Sequence, residues 1–374
     1  MTRTVPNAIR RIVFTGDILR PSAVPGGSPA ANPSIEWLMR ILDWSLRQVT
    51  DLPISSVAWN RGFDTEAFYR AVGLAPDHDG WARVHYATEL PPAADQLIEA
   101  AFADALVIGC ELTPCLGAAL TRLGIPVIDT VGHPLRFLED LLNAWRTNHA
   151  QVARALEAFR FNLDDAHRQA ALIRAKMAWQ PTLDAPPDTA LLIGQVGNDK
   201  ALIHHREGRL LSYADYLEQL FEIGRRHACV LYKPHPYENG YGASASVVGR
   251  FKAFRRINAN YYWLVNQDAL STVYAISSGT CVEAPYFGKR AEFFHETLYA
   301  FDQTDVSEHG FVAPVPVESA WLWPRFWQTV LAPLIPVANT SFTDPLFQPN
   351  RIRRSLNAEW SYGAVDAVVS PPLC

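Results

Sequence analysis

The feature that most constrains the fold of this chain is a repeated alternation of short apolar runs with segments of helical periodicity. Runs of this kind are typical of strands buried in a parallel sheet, and the segments between them supply helical crossovers. The predicted strands lie at 11–15, 105–110, 125–129, 190–196, 229–232, 261–265, 274–276 and 290–294. The pattern therefore predicts an α/β fold with right-handed crossovers.

The predicted helices occupy the intervals between these strands. Apolar residues recur on one face of the first helix, and Gly124 and Ser212 have the residue types that end and begin helices. The first predicted helix begins at residue 34, and the second covers 113–123. A long helical region is predicted over about 135–179, a fourth helix from Ser212 to 227, and a fifth after Thr280.

Chain length predicts more than one domain. The 374 residues exceed what a single hydrophobic core usually holds. The segment 180–188 contains three prolines among polar residues, which is typical of a linker. We expect a Rossmann-like N-terminal domain over 1–180, a second Rossmann-like domain over 181–330, and an extension, 331–374, that packs back on the first.

Composition excludes several classes of protein. Hydrophobic residues make up 49% and charged residues 19%, as in a globular protein. The net charge of −5 argues against a broad nucleic-acid surface.

The five cysteines contain no CxxC pair and fit a reducing cytoplasm. The first eleven residues lack the apolar core of a signal peptide. No stretch is long enough to span a membrane, and the aromatic segment 321–336 is expected in the core rather than on a membrane surface.

A polar turn, Lys233-Pro234-His235-Pro236, follows the apolar run 229–232. Ligands of open α/β sheets bind just beyond the carboxyl ends of the strands. The prolines restrict the backbone around His235, and both Lys233 and His235 can donate hydrogen bonds to a phosphate. The alternative is an ordinary polar turn closed by proline.

A second polar segment, from Gln195 to Asp199, stands at the end of the predicted strand 190–196. A carboxylate at this edge of the sheet can attack or stabilise an anomeric carbon, as in retaining glycosidases. The alternative for Asp199 is an Asx turn or a helix cap.

A third segment, Ser277-Ser278-Gly279-Thr280, stands at the start of a predicted helix. Its hydroxyls and free backbone N–H groups suit an anion, although for this motif taken alone simple helix capping is the favoured explanation. The three segments together predict a site for the phosphate of a nucleotide sugar that stabilises the leaving group without a metal. No DxD motif lies in a loop, since Asp164-Asp165 falls inside the predicted long helix.

Gln195-x-x-x-Asp199, Lys233-Pro234-His235-Pro236 and Ser277-Ser278, in this order, resemble the bacterial β-Kdo glycosyltransferases of capsule and O-antigen assembly. The segments 15–21, 109–114, 125–129 and 133–137 also resemble this family, especially its O-antigen branch. The resemblance covers roughly residues 10 to 295. It implies a GT-B-like α/β fold, in which two Rossmann-like domains face a central cleft.

The resemblance also implies roles for particular residues. Asp199 would be the nucleophile of a retaining transfer from CMP-β-Kdo, and Glu111 a general base or acceptor-orienting carboxylate. His235 would assist departure of CMP. The residues implied to bind substrate are Gln195, Lys233, Pro236, Ser277, Ser278, Gly279, Thr280, Asp17 and Arg20. Asp17 and Arg20 would contact the Kdo carboxylate or acceptor hydroxyls, whereas Cys110 departs from the bulkier residue expected before Glu111.

Other functions remain open at this point. His-Pro and Ser-Ser also occur in bacterial sialyltransferases, so an inverting enzyme using CMP-sialic acid is one alternative. A non-catalytic subunit of a polysaccharide-assembly complex is another. The expected partners are CMP-Kdo and a saccharide or lipid-linked glycan acceptor, with no cofactor, no metal and no nucleic acid. The expected location is the cytoplasm, with peripheral association at the inner membrane or in a larger synthase complex left open.

Overall fold

Two β-sheets organise the chain. The computed structural model describes residues 8–23, 27–29, 31–235, 247–298, 310–343, 346 and 348–356. The first sheet has the order β11-β5-β4-β3-β1-β2, and the second has the order β10-β9-β6-β7-β8. The strands are β1 Arg11–Gly16, β2 Ile54–Ser56, β3 Ala105–Cys110, β4 Val127–Gly132, β5 Asn143–Thr147, β6 Thr189–Ile193, β7 Cys229–Lys233, β8 Phe254–Arg256, β9 Leu270–Ala275, β10 Arg290–Phe293 and β11 Val315–Val317.

Most strand pairs are parallel. Strands β2, β1, β3 and β4 run parallel to one another, while β5 pairs antiparallel with β4 and with β11. The second sheet is parallel throughout. The α/β expectation is therefore confirmed, and the two parallel-rich sheets are compatible with two Rossmann-like domains. The GT-B arrangement and the domain boundaries stay predictions.

Helices cover the two sheets. Gly124 adopts the positive φ expected after a helix, and Ser212 caps a 3₁₀ turn, Tyr213–Tyr216, that leads into the next helix. The helices are Ala31–Arg47, Thr65–Val72, His78–His85, Pro92–Phe102, Pro114–Arg122, Ala150–Glu157, Leu163–Met177, Leu217–Arg226, Tyr261–Val265, Gly279–Glu283, Pro324–Leu331 and Arg351–Ser355. Shorter 3₁₀ turns lie at Lys200–Leu202, Ala284–Phe287 and Ser319–Leu322.

The prediction of one long helix over 135–179 is wrong. Residues Asn143–Thr147 form β5, which pairs with β4, and separate helices follow at Ala150–Glu157 and Leu163–Met177. Trp145 of β5 is fully buried against Trp321 and other aromatic rings. Tertiary packing therefore overrides a segment whose local pattern suits a helix.

The predicted strand at 261–265 is also wrong, because Tyr261–Val265 is a short helix. The Asn260 side chain caps it by accepting hydrogen bonds from the N–H groups of Tyr262 and Trp263, at 2.7 and 3.3 Å. An apolar run this short does not distinguish a buried strand from a buried helix.

The C-terminal part of the chain returns to the first sheet. Strand β11 pairs with β5, and Trp321, Phe326 and Trp327 are buried in the core of the first sheet. The expectation of core packing for the aromatic segment is confirmed. These residues pack with the first sheet, although the predicted second domain extends to 330.

The helix Leu163–Met177 shows the reverse case, since it belongs to the predicted first domain but packs with the second sheet. It precedes the predicted linker, yet its buried residues Ala166, Ala170 and Ile173 belong to the core around the second sheet. Arg353, beyond both sheets, donates hydrogen bonds to the carbonyls of three residues between Arg136 and Glu139. The packing of the chain therefore crosses the predicted linker in both directions.

Two further observations concern the cysteines and the helices. Cys110, Cys115, Cys229 and Cys281 are free thiols, and Cys374 lies outside the described residues. Within the described part of the chain, no helix is both long and apolar enough to cross a bilayer.

Candidate functional site

A cavity of about 320 Å³ lies beyond the carboxyl ends of the second sheet's central strands. The loops after β6 and β7 lie side by side, because the N–H of Gly194 donates to the carbonyl of Lys233 at 2.8 Å. The lining residues are Pro134, Arg136, Ile193, Gly194, Gln195, Asp199, Ala201, Lys233, Pro234, His235, Asn260, Tyr261, Tyr262, Ser278, Gly279, Thr280 and Glu283. We call this space the donor-side cavity.

The end of β7 contributes Lys233 and His235 to the donor-side cavity. Burial lowers the pKa of Lys233. Among the described residues, the Lys233 ammonium has no hydrogen bond and no ion pair. Pro236, predicted to contact the substrate, lies outside the described residues. Lys233 and His235 thus line one cavity, as expected for two residues that would contact the same phosphate.

The two serines after β9 have different environments. Ser277 is fully buried, and its hydroxyl donates to the carbonyl of Ala201. Gln195 binds Ser277 twice: its Oε1 accepts from the Ser277 N–H at 2.9 Å, and its Nε2 donates to the Ser277 hydroxyl at 3.2 Å. Ser277 therefore holds the loops after β6 and β9 together beneath the cavity, while Gln195 lines it.

Ser278 lines the cavity and caps the helix Gly279–Glu283. Its hydroxyl accepts hydrogen bonds from the Thr280 N–H at 3.4 Å and from the Thr280 hydroxyl at 3.0 Å. Capping is thus present, and the same residues also border the cavity. The capping interpretation is confirmed, and the ligand-site interpretation stays a prediction.

Asp199 borders the cavity at the start of the 3₁₀ turn Lys200–Leu202. Its Oδ1 accepts a hydrogen bond from the Ala201 N–H at 3.0 Å, so the helix-cap alternative is confirmed for this oxygen. Within the described chain, Oδ2 has no hydrogen-bond partner. One carboxylate oxygen orients Asp199 and the other remains available to a ligand.

A second cavity of about 220 Å³ contains the predicted residues of the first sheet. We call it the acceptor-side cavity. Its lining residues are Asp17, Arg20, Ala31, Ser34, Trp37, Cys110, Glu111, Thr130, Gly132, Arg136, Leu141, Leu142, Asn143, Lys200 and Leu356.

Glu111 follows β3 in a left-handed conformation, with φ of 58°. Its Oε2 pairs with the Lys200 ammonium at 2.6 Å, and its Oε1 accepts from the Gly132 N–H at 3.2 Å. Burial alone would raise the pKa of Glu111, but Lys200, the Gly132 N–H and the Arg136 charge together lower it to about 2. A carboxylate this acidic is a weak general base near neutral pH while the pair is intact.

Asp17 and Arg20 are also held by the protein. Asp17 is buried and accepts hydrogen bonds from the Thr113 hydroxyl at 2.5 Å and the Trp81 indole N–H at 3.1 Å. Burial raises its pKa, against the lowering effect of Thr113 and nearby cations. Arg20 donates to the carbonyl of Asn198 at 2.8 Å and lies 5.1 Å from the centre of the Trp81 ring. Both residues line the acceptor-side cavity, but each already has protein partners.

Three charged cavity residues were not predicted from the sequence: Arg136, Glu283 and Lys200, the last of which pairs with Glu111. Arg136 lines both cavities, and Glu283 is 1% exposed beside the donor-side cavity. Burial raises the pKa of Glu283 to about 8, although the N–H of Arg136 and the hydroxyl of Tyr262 stabilise its charged form. The sequence signal that could have identified Glu283 is a glutamate inside the otherwise apolar helical segment after Thr280.

Among the described residues, no group of three or more His, Cys, Asp or Glu side chains is arranged to hold a metal ion. Metal independence and the absence of a cofactor stay predictions.

Comparisons with known proteins add little. No family model matches the sequence, and no curated protein matches it. Among solved structures, the chain is similar to Thermosulfurimonas dismutans KpsC, described as a beta Kdo 2,7 transferase, with a TM-score of 0.38 and 14% identity. That likeness covers 73% of this chain and 81% of the other.

Proposed function

We propose that this protein is a retaining glycosyltransferase that moves β-Kdo from CMP-β-Kdo to a saccharide acceptor of surface polysaccharide. The observation that carries the proposal is the donor-side cavity, which brings Asp199, Lys233, His235 and Ser278 together beyond the strand ends. Residues from three separate strand ends meet there, as the carboxyl-edge rule for open α/β sheets requires. The fold proposed with it is GT-B-like, with the two sheets in domains that face a cleft.

The donor phosphate would bind between Lys233 and the helix start at Ser278. Lys233 has no partner among the described residues, and Ser278, Gly279 and Thr280 border the same space. A cation and a hydroxyl-lined loop stabilise negative charge on a departing phosphate. His235 would donate a hydrogen bond to the same group.

The first chemical step would use Asp199. Its Oδ2 forms a bond to the anomeric carbon of Kdo, and the bond from that carbon to the phosphate oxygen breaks, with the electron pair leaving on CMP. The hydrogen bond from the Ala201 N–H to Oδ1 orients the carboxylate for this attack. The product is a covalent glycosyl ester on Asp199.

The second step would transfer Kdo to the acceptor. An acceptor hydroxyl attacks the same carbon, its proton passes to a base, and the electron pair of the ester bond returns to Asp199. Two inversions retain the configuration. Glu111 is the proposed base, and we propose that the acceptor first displaces Lys200, because the pair lowers the basicity of Glu111.

The decisive experiment is incubation with CMP-Kdo followed by intact-mass analysis. We expect a glycosyl adduct on Asp199 in the wild type and none in Asp199→Ala. Asp51→Ala, a change of an exposed aspartate, is the matched control and should form the adduct normally. Turnover of CMP-sialic acid alone would favour the inverting alternative, and normal function of Asp199→Ala in cells would favour the non-catalytic one.

A further inference from the structure

Arg136 lies where the two cavities meet, since it is a lining residue of both. Its backbone is fixed from two sides. Its N–H donates to Glu283 Oε1 at 2.5 Å, and its carbonyl accepts from Arg353 Nη2 at 3.0 Å. Glu283 and Arg353 are each 1% exposed. The main chain of Arg136 is therefore anchored to buried groups from two distant parts of the chain.

Unlike its backbone, the Arg136 side chain is not held by hydrogen bonds to other described residues. In the described part of the chain, its guanidinium makes no hydrogen bond and no ion pair. The other cations of the acceptor-side cavity are already engaged: Arg20 with the Asn198 carbonyl and Lys200 with Glu111. The guanidinium acts on the Glu111 and Glu283 carboxylates through its charge alone, so its hydrogen-bond donors are available to a ligand.

Gly132 leaves room for this guanidinium. A Cβ at Gly132 would lie 3.0 Å from Arg136 Nη2 and 3.4 Å from Glu111 Oε1. The tip of Arg136 therefore lies beside the Glu111 loop, on the side of the donor-side cavity that faces the acceptor-side cavity. Even a methyl group at Gly132 would press on the guanidinium.

The charges of the donor match the unpartnered cations of the protein. This step rests on the proposed function, in which the donor carries a phosphodiester and the carboxylate of a sugar acid. Among the described lining residues of the donor-side cavity, Lys233 and Arg136 are the lysine and arginine side chains without partners. Lys233 stands at the strand end proposed for the phosphate, which leaves Arg136 for the second anion.

We propose that Arg136 binds the carboxylate of the donor sugar acid, a role that the sequence analysis assigned to Asp17 or Arg20. A planar guanidinium binds a carboxylate through two parallel hydrogen bonds. The substrate class is then a CMP-activated sugar with a carboxylate on its anomeric carbon. Arg353 is a positioning residue, because it holds the Arg136 backbone from outside the cavity, and Glu283, which also lines the cavity, holds the Arg136 N–H.

The test compares CMP, CMP-Kdo and a CMP-Kdo analogue whose carboxylate is replaced by a carboxamide. In the wild type, we expect CMP-Kdo to bind at least about tenfold more tightly than the carboxamide, from the strength of a charge-assisted hydrogen bond. In Arg136→Met this preference should disappear, while the Kd for CMP stays within about twofold of wild type. Arg40→Met, a change of an exposed arginine, should keep the preference.

A second variant separates position from charge. Gly132→Ala keeps the guanidinium but displaces it, so the same preference should fall while CMP binding is unchanged. Retention of full carboxylate preference in Arg136→Met, or in Gly132→Ala if the first variant does not fold, would overturn the role of Arg136. Failure of the wild type to bind CMP would instead overturn the proposed function on which this role rests.

Discussion

The two cavities contain similar residue types but differ in how their charges are satisfied. On the acceptor side, Glu111 is paired with Lys200, Arg20 with a carbonyl, and Asp17 with two donors. On the donor side, Lys233 and one oxygen of Asp199 have no partner among the described residues. Within the described chain, the donor-side cavity therefore presents an unpaired lysine and an unpaired carboxylate oxygen, whereas Glu111, Arg20 and Asp17 on the acceptor side are each held by protein partners.

Loss of the proposed nucleophile should have the largest effect. In Asp199→Ala, we expect kcat for transfer to fall by roughly 10³-fold or more, because no covalent intermediate can form. The Kd for CMP, measured by calorimetry, should change by less than about twofold. A variant with near-normal turnover would contradict the nucleophile and would remove the functional contrast between the cavities.

Removal of the unpartnered lysine should have the next largest effect. Lys233→Met should weaken CMP binding by about 10- to 100-fold, the strength of a charge-assisted hydrogen bond. Lys252→Met, at an exposed lysine, is the control and should bind CMP normally. Equal weakening by Lys233→Met and Lys200→Met would show that the two cavities are not distinct in their anion affinity.

Removal of the internal pair should change the pH dependence rather than donor binding. In Lys200→Met, the pKa of Glu111 should rise from about 2, because burial then acts with less opposing charge. The lowered pKa of the wild type stabilises the fold above the unfolded pKa and is lost as pH falls towards 2. The variant should therefore be less stable than wild type at neutral pH but lose less stability between about pH 4.5 and 2, and carboxyl-carbon NMR of Glu111 measures the shift directly. An unchanged Glu111 titration would contradict the pair.

The smallest effect should come from Glu283. Its folded pKa of about 8 lies above the unfolded value, so the folded state binds the extra proton and stability falls as pH rises from about 4.5 to 8. Glu283→Gln keeps an oxygen that can accept from the Arg136 N–H and cannot ionise. Thermal unfolding of the variant should therefore depend less on pH across that interval. An equally steep decline in both proteins would show that Glu283 ionises normally.

Local sequence patterns correctly predicted strands β1 and β7. The apolar runs before Lys233 and before Gly16 become β7 and β1, because a buried parallel strand needs apolar residues on both faces. The same patterns failed at Asn143–Thr147 and Tyr261–Val265, where packing against distant aromatic residues or a single asparagine cap decided the structure. Three short strands at sheet edges, including Val315–Val317, carry too few residues for a pattern to identify.

By itself, the sequence determined the α/β class and the polar segments that follow β6, β7 and β9, because these depend on neighbouring residues. Only the tertiary structure decided that Ser277 is buried while Ser278 borders the cavity, and that Glu111 is neutralised by Lys200. It also placed Arg136 between the cavities through contacts with Glu283 and Arg353, which lie 147 and 217 residues away. Charge partners and burial arise from contacts between distant residues, which no local pattern encodes.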